Sequence, residues 1–231
     1  MIDIVLSILV FFLISISQVI EMHAYTLKGV HSEIYARQFL GLANWMQYLA
    51  RIIYVFVLML LSFMFEFLNL GDGILPLVMG AFVFSFILSI LFFTYQSFRD
   101  KIVFLLRPVA AFSYPELKNM KINVTINDAS FDRVFFYTVF STWLIGLAFI
   151  LPFFIAIRYP EFRMMATYTG QALNFVATAV IFSRIEPKIF QELDQTVFSG
   201  DNVCSSIQSL LKARMYAQLF IVTTIFLMMM L

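Results

Sequence analysis

Charge is what this chain has least of. Only 13% of its 231 residues are Asp, Glu, Lys or Arg, against about a quarter in an ordinary soluble domain. Its 62% hydrophobic content and mean hydropathy of +0.92 belong to the same imbalance. Together they exclude a soluble globular domain and point to an integral membrane protein. A single cysteine, Cys204, excludes a disulfide within the chain, and it reads as a small residue near a helix start. The two histidines, His23 and His31, have no cysteine or carboxylate cluster to complete a metal-ligand set, so neither a metal nor another cofactor is expected. Lys and Arg are scattered between apolar stretches, so no nucleic-acid partner is expected either. A Walker motif, G-x-S-x-G, H-E-x-x-H and a D-x-D pair are all missing. Their absence argues against an ATPase or a familiar hydrolase and leaves an intramembrane enzyme of unusual type open.

What the chain does have is long apolar runs. About 20 such residues in a helix cross the hydrocarbon core. Six segments qualify: Ile4–Met22, Trp45–Leu68, Leu75–Tyr95, Phe135–Ile157, Met165–Phe182 and Leu210–Met230. The expected fold is an all-α polytopic bundle of about six transmembrane helices. It forms one domain over 1–231, in contact with membrane lipids. The first segment lacks a basic leader and a small-x-small cleavage site, so it reads as a retained helix. Segment five is the shortest and most polar. Asn69-Leu-Gly-Asp-Gly73 predicts a tight turn on glycines with positive φ, joining segments two and three as a hairpin. Glu186-Pro187 predicts the end of segment five, because the residue before proline is pushed out of the α region.

The connections set the orientation. The first, third and fifth carry twelve Lys and Arg, from Lys28 through Arg133 to Arg214, and the opposite side carries only Arg158 and Arg163. Cytoplasmic loops hold the excess of positive charge, so both termini are expected on the extracytoplasmic side. The basic connection 96–133 opens with Phe98–Pro108, FRDKIVFLLRP, where cations alternate with apolar residues. That pattern suits a short interfacial helix on an anionic leaflet or, equally, a helix end with snorkelling cations.

Polar residues inside the apolar runs need a reason, because a charge at the bilayer centre costs about 2.5–3.5 kcal/mol on insertion scales. Segment one ends with Gln18, Glu21 and Tyr25 on one face, and segment two begins with Asn44, Gln47, Arg51 and Tyr54 on one face. Glu21 reads as a titrating group, a counter-ion to a buried arginine, or a carboxylate at a helix end. Glu66, at the far end of segment two, reads as interfacial. In segment six Arg214 and Gln218 are one turn apart. Arg51 and Arg214 belong at similar depth, where two planar guanidiniums can clamp a phosphate or pyrophosphate or snorkel separately. In segment five Thr167, Gln171, Asn174 and Thr178 recur at i, i+4, i+7 and i+11, forming a stripe. It can wall a hydrated cavity or pack a neighbouring helix, and Ala166 with Gly170 is a small-xxx-small pair suited to packing.

These residues resemble a known family. Ile20-Glu-Met-His-Ala-Tyr25, Gly29-Val30, Arg37, Leu42-Ala-Asn44 and Ala50-Arg51 resemble the start of the alternate lipid II flippase family, Amj. Pro160-Glu-Phe-Arg163, Ala166, Gly170, Asn174, Ala177-Thr178, Glu186-Pro187, Val197, Gly200, Arg214 and Gln218 resemble its second half. The match is poorest over 98–133. The chain departs from the family pattern at Glu21, where an aspartate is usual, at Ala50, where a serine is usual, and at His23, which the pattern lacks. The resemblance implies a multi-pass protein of the bacterial cytoplasmic membrane. It would move undecaprenyl-pyrophosphate-linked peptidoglycan precursor, a lipid-linked oligosaccharide, outward for cell-wall synthesis. The residues then expected at the substrate are Glu21, Gln47, Arg51, Gln171, Asn174, Arg214 and Gln218. With no ATP motif, transport would draw on the membrane potential or on use of the precursor downstream. Six helices are few for so large a head group, so a homo-oligomer is a further expectation. Two other readings stay open: a small-ligand-binding membrane subunit of a multi-component transporter, and an intramembrane enzyme acting on lipid phosphates.

Overall fold

The computed structural model describes residues 2–28, 36–68, 70–95, 97–98, 101, 131–196 and 205–231. The chain is all-α, with no strand among the described residues. Its helices are α1 (Ile2–Lys28), α2 (Ala36–Phe67), α3 (Gly71–Thr94), α4 (Arg133–Arg158), α5 (Arg163–Val180), α6 (Glu186–Thr196) and α7 (Ser205–Met230). A single 3₁₀ turn, Pro160–Phe162, joins α4 to α5, and a π turn, Ile181–Ile185, joins α5 to α6. The interfacial stretch Phe98–Pro108 lies mostly outside the described residues, and Cys204 lies wholly outside them.

Five helices are long and apolar enough to cross a membrane: α1, α2, α3, α4 and α7. The sixth expected crossing, α5, is too polar to qualify by composition, yet it runs the height of the bundle. At one end Arg163 lies over the ring of Phe65 near the end of α2, 5.2 Å from its centroid. At the other, Glu186 accepts a hydrogen bond from Lys28 at the end of α1, 3.0 Å away. The intervening helix is about 35 Å long at 1.5 Å per residue, close to the thickness of a bilayer core. The structure therefore has six rods, one of them polar along one face.

The rods form an arc. α1 packs between α2 and α3, α3 also packs on α7, α7 on α4, and α4 on α5. In the main core Val10 and Ile14 of α1 cluster with Val57 and Leu61 of α2. Phe82 of α3, Phe149 of α4 and Ile221 of α7 complete it. α5 contributes nothing to that core. Its buried residues are Ala166, Gly170 and Ala177, all small and all suited to close packing against α4.

Gly170 shows how close. A Cβ there would meet the Ala148 carbonyl oxygen at 2.7 Å and the Pro152 ring at 2.7 Å. Pro152 has no N–H to give the carbonyl four residues before it, which is that of Ala148. The bare backbone of Gly170 covers this freed carbonyl. Neighbouring helices commonly serve a proline-freed carbonyl in this way inside a membrane.

Two expectations about helix ends fail. Gly71 and Gly73 do not make a left-handed turn; they lie in the first turn of α3, which follows Leu70. The reversal is shorter than predicted because the Leu70 N–H donates back to the Met64 carbonyl at 3.2 Å. α2 and α3 then diverge, α1 lying between them and α3 packing equally on α7. Pro187 does not end the helix either. Glu186 stays in the α region, at φ −56° and ψ −47°, and its N–H reaches the Ile181 carbonyl five residues back. The wider π turn moves carbonyls out of the way of the proline ring, so α6 continues where a regular α-helix would clash.

Candidate functional site

The concave side of the arc holds a partly open cavity of about 610 Å³, lined from α1, α2, α4, α5 and α7 and by Phe82 of α3. α2 and α5, at the two ends of the arc, form facing walls. They make no extended helix–helix contact and are bridged at one end by Arg163 on Phe65.

The α5 wall is the polar stripe. Thr167, Gln171, Asn174 and Thr178 all line the cavity, and so does Gly170 beside them. Both readings of this helix hold, on adjacent faces. The small residues bury against α4, and the polar ones look into the cavity. Thr167 bonds its own backbone, donating to the Arg163 carbonyl at 3.3 Å.

The opposite wall carries the charges. Gln18, Glu21, Arg51, Tyr54 and Arg214 reach the cavity from three helices. Arg214 is almost fully buried and its Nη2 lies 2.5 Å from Glu21 Oε2. The same guanidinium stacks on the Tyr25 ring, 5.1 Å from its centroid, while Lys28 approaches that ring at 5.4 Å. Lys28, itself buried, pairs with Glu186. Tyr25 thus sits between two cations, and each cation has its own carboxylate. Arg214 keeps Nε buried without a hydrogen-bond partner. Arg51 is exposed to the cavity and has no ion-pair partner among the described residues.

Of the seven expected site residues, Glu21, Arg51, Gln171, Asn174 and Arg214 line this one cavity. Gln218 does not. It is fully buried behind the wall, where its Nε2 donates to Gln18 Oε1 at 3.2 Å and its Oε1 accepts from Ser89 Oγ at 3.0 Å. It positions Gln18, which does reach the cavity. Gln47 is half-buried and also absent from the lining, as is Asn44. Their stripe continues a turn or more past the cavity, so only its Arg51–Tyr54 half participates.

Other lining groups escaped the sequence reading. Glu66, expected at the interface, lines the cavity at the Arg163 end, and Thr142 of α4 reaches it one turn from the buried Thr138. The Thr138–Thr142 spacing puts two hydroxyls on one face of α4, and Glu66 falls about four turns from Arg51 on the same helix; either spacing could have flagged the residue. His23 is buried with Nδ1 unpartnered and stays off the cavity. Among the described residues no three His, Cys, Asp or Glu cluster to hold a metal.

Chemically the site offers the guanidinium of Arg51, that of Arg163 over the Phe65 ring, a third held by Glu21, and a ladder of neutral hydrogen-bonding groups on α5. Such a surface suits an anion attached to a hydroxyl-rich body. Comparison with protein-family models, with curated proteins and with solved structures finds no match to this chain.

Proposed function

We propose that this membrane protein is a transporter that flips a polyprenyl-pyrophosphate-linked peptidoglycan precursor, lipid II, across the bacterial cytoplasmic membrane. The reading rests on the sequence resemblance, and one observation supports it most. Arg51, Arg214 and the α5 stripe face one another across a single cavity inside a bundle whose outer surface is apolar. A lipid-linked sugar needs that combination: cations for the pyrophosphate, amides and hydroxyls for the sugar, and a side opening for the tail. Between α2 and α5 the tail can stay among lipids while the head enters. A volume of about 610 Å³ is within the usual range for a ligand pocket. It fits the pyrophosphate and the adjoining sugar; the remainder of the head group extends through the open side. Under this reading the chain catalyses no covalent change.

The test is complementation. The protein is expressed in bacteria depleted of their own lipid II flippase, and labelled precursor is measured at the cell surface. Rescue is expected from the natural chain, and Arg51→Ala is expected to insert normally but rescue poorly. No rescue by a chain shown to be inserted refutes the proposal.

A further inference from the structure

The ion pair inside the cavity has an unusual arrangement for a purely structural bridge. Arg214 presents its guanidinium to a space meant, on the reading above, for an anion, but Glu21 already occupies it at 2.5 Å. Both residues line the cavity. Glu21 is therefore a resident counter-ion that keeps a buried arginine satisfied while the site is empty. An arriving phosphate oxygen that accepts from Arg214 comes to lie beside that carboxylate. Two like charges held that close repel each other.

The charges around Glu21 can be followed element by element. From α7 it faces Arg214, and from α2 it shares the cavity with Arg51, the neutral Tyr54 and, at the far end, Glu66; α5 adds Arg163 at that far end and otherwise neutral groups, and α4 adds the neutral Thr142. On α1 itself Tyr25 lies between Arg214 and Lys28, and the charge of Lys28 is balanced by Glu186 at the head of α6. α3 brings only the neutral Ser89, one step behind through Gln218. Three arginines, Arg51, Arg163 and Arg214, against two carboxylates, Glu21 and Glu66, leave the cavity lining one positive charge. A pyrophosphate joined at both ends, to a lipid and to a sugar, carries two negative charges. The balance closes only if Glu21 becomes neutral.

We infer that Glu21 is the proton-accepting gatekeeper of the anion site: ligand pyrophosphate replaces it on Arg214, and Glu21 takes up one proton from water as this happens. The inference rests on the pyrophosphate-lipid reading of the cavity. No covalent bond of the ligand changes. The Glu21–Arg214 contact opens, a phosphate–Arg214 contact forms, and the new carboxylic O–H is free to donate to the phosphate. When the ligand leaves, the proton leaves and the pair re-forms.

The experiment uses the full chain in lipid nanodiscs and a fluorescent prenyl-pyrophosphate-linked sugar, a diester whose charge does not change between about pH 5 and pH 8. If one proton binds with each ligand, affinity of the natural chain falls about tenfold per pH unit as pH rises. Glu21→Gln, which resembles the protonated side chain, is expected to bind at least as tightly at high pH and to lose that slope. Glu21→Asp should keep it. Proton uptake by the natural chain, followed with an indicator dye in weak buffer, needs no variant and should give one proton per ligand. Binding with no proton uptake and with parallel pH profiles for the natural chain and Glu21→Gln overturns the inference while leaving the transport reading intact. No binding of the probe by the natural chain overturns both. A tail-less sugar pyrophosphate should bind more weakly; equal affinity would assign the site to a soluble pyrophosphate instead and overturn the lipid-linked part of the inference.

Discussion

α3 and α5 are both packed within the same bundle, and both carry hydroxyl or amide side chains at regular spacing. In α3 those groups are buried and closed. Ser85 donates to the Ala81 carbonyl at 2.7 Å, and Ser89 donates to both the Ser85 carbonyl and Gln218. In α5 the amides of Gln171 and Asn174 make no hydrogen bond with another described residue and stand open to the cavity. A polar group used for architecture satisfies itself within the protein, because an unpaired buried dipole costs about 1–3 kcal/mol. A polar group left open in an otherwise apolar bundle is satisfied by something else, either water or a ligand. Spacing alone does not distinguish these cases; the neighbouring helix does.

The largest expected effect comes from removing the cation that belongs to both categories. Arg214 is buried like the α3 serines but lines the cavity like the α5 amides. Arg214→Ala strands Glu21 and Tyr25, and breaking a buried pair costs about 3–5 kcal/mol. Because Glu21 keeps 18% side-chain exposure, the lower end, about 3 kcal/mol, is expected. It should appear as a clear loss of thermal stability in detergent together with loss of transport. Combining Arg214→Met with Glu21→Gln should recover most of the stability and none of the transport. Recovery of both would show that the pair only builds the fold.

Next comes the closed network. Gln218→Ala takes away the partner of the buried Gln18, while Ser89 keeps the Ser85 carbonyl, a loss of about 2 kcal/mol, again read by thermal unfolding. Its effect on ligand binding should be small and indirect, through Gln18. A large loss of affinity at unchanged stability would move Gln218 back into the substrate-contacting set.

A smaller effect is expected where α5 meets α4. Overpacking costs about 1–3 kcal/mol, and Gly170→Ala adds one methyl, so about 1 kcal/mol fits. The methyl would press on the Ala148 carbonyl and the Pro152 ring. The strain can also be relieved by α5 moving off α4, which would narrow the cavity and lower transport more than stability. An Ala variant as stable and as active as the natural chain would show that the close approach is not needed.

How much of this was legible beforehand varies by residue. The apolar runs were readable because lipid imposes length and hydropathy directly, and five spans fall where expected. The α5 stripe was readable because a helical period of 3.6 projects Thr167, Gln171, Asn174 and Thr178 onto one face. What those residues face was not, since it depends on α2 standing opposite, and the order of helices around the arc leaves no local mark. Gln47 and Gln218 show the same limit from the other direction. Each lies on a polar face, yet one falls beyond the cavity and the other is turned behind its wall. Pro187 misled because a pre-proline preference is local, and five residues of π turn were enough to accommodate the ring.

The smallest expected effect on stability is the most direct test of the contrast between α3 and α5. Gln171→Ala and Asn174→Ala remove groups that no described residue uses, so each should change stability by no more than about 0.5 kcal/mol. If the stripe touches the sugar, the double variant should still lower transport severalfold. Access can be measured independently. With Cys204, the one native cysteine, changed to serine, Asn174→Cys should react quickly with a water-soluble thiol reagent. Ser85→Cys, at the buried face of α3, should not. Protection of Asn174→Cys by the pyrophosphate-linked probe would place ligand against the stripe. Equal labelling of the two positions would mean that the α5 face is as dry as the α3 face, and the stripe would then be helix packing after all.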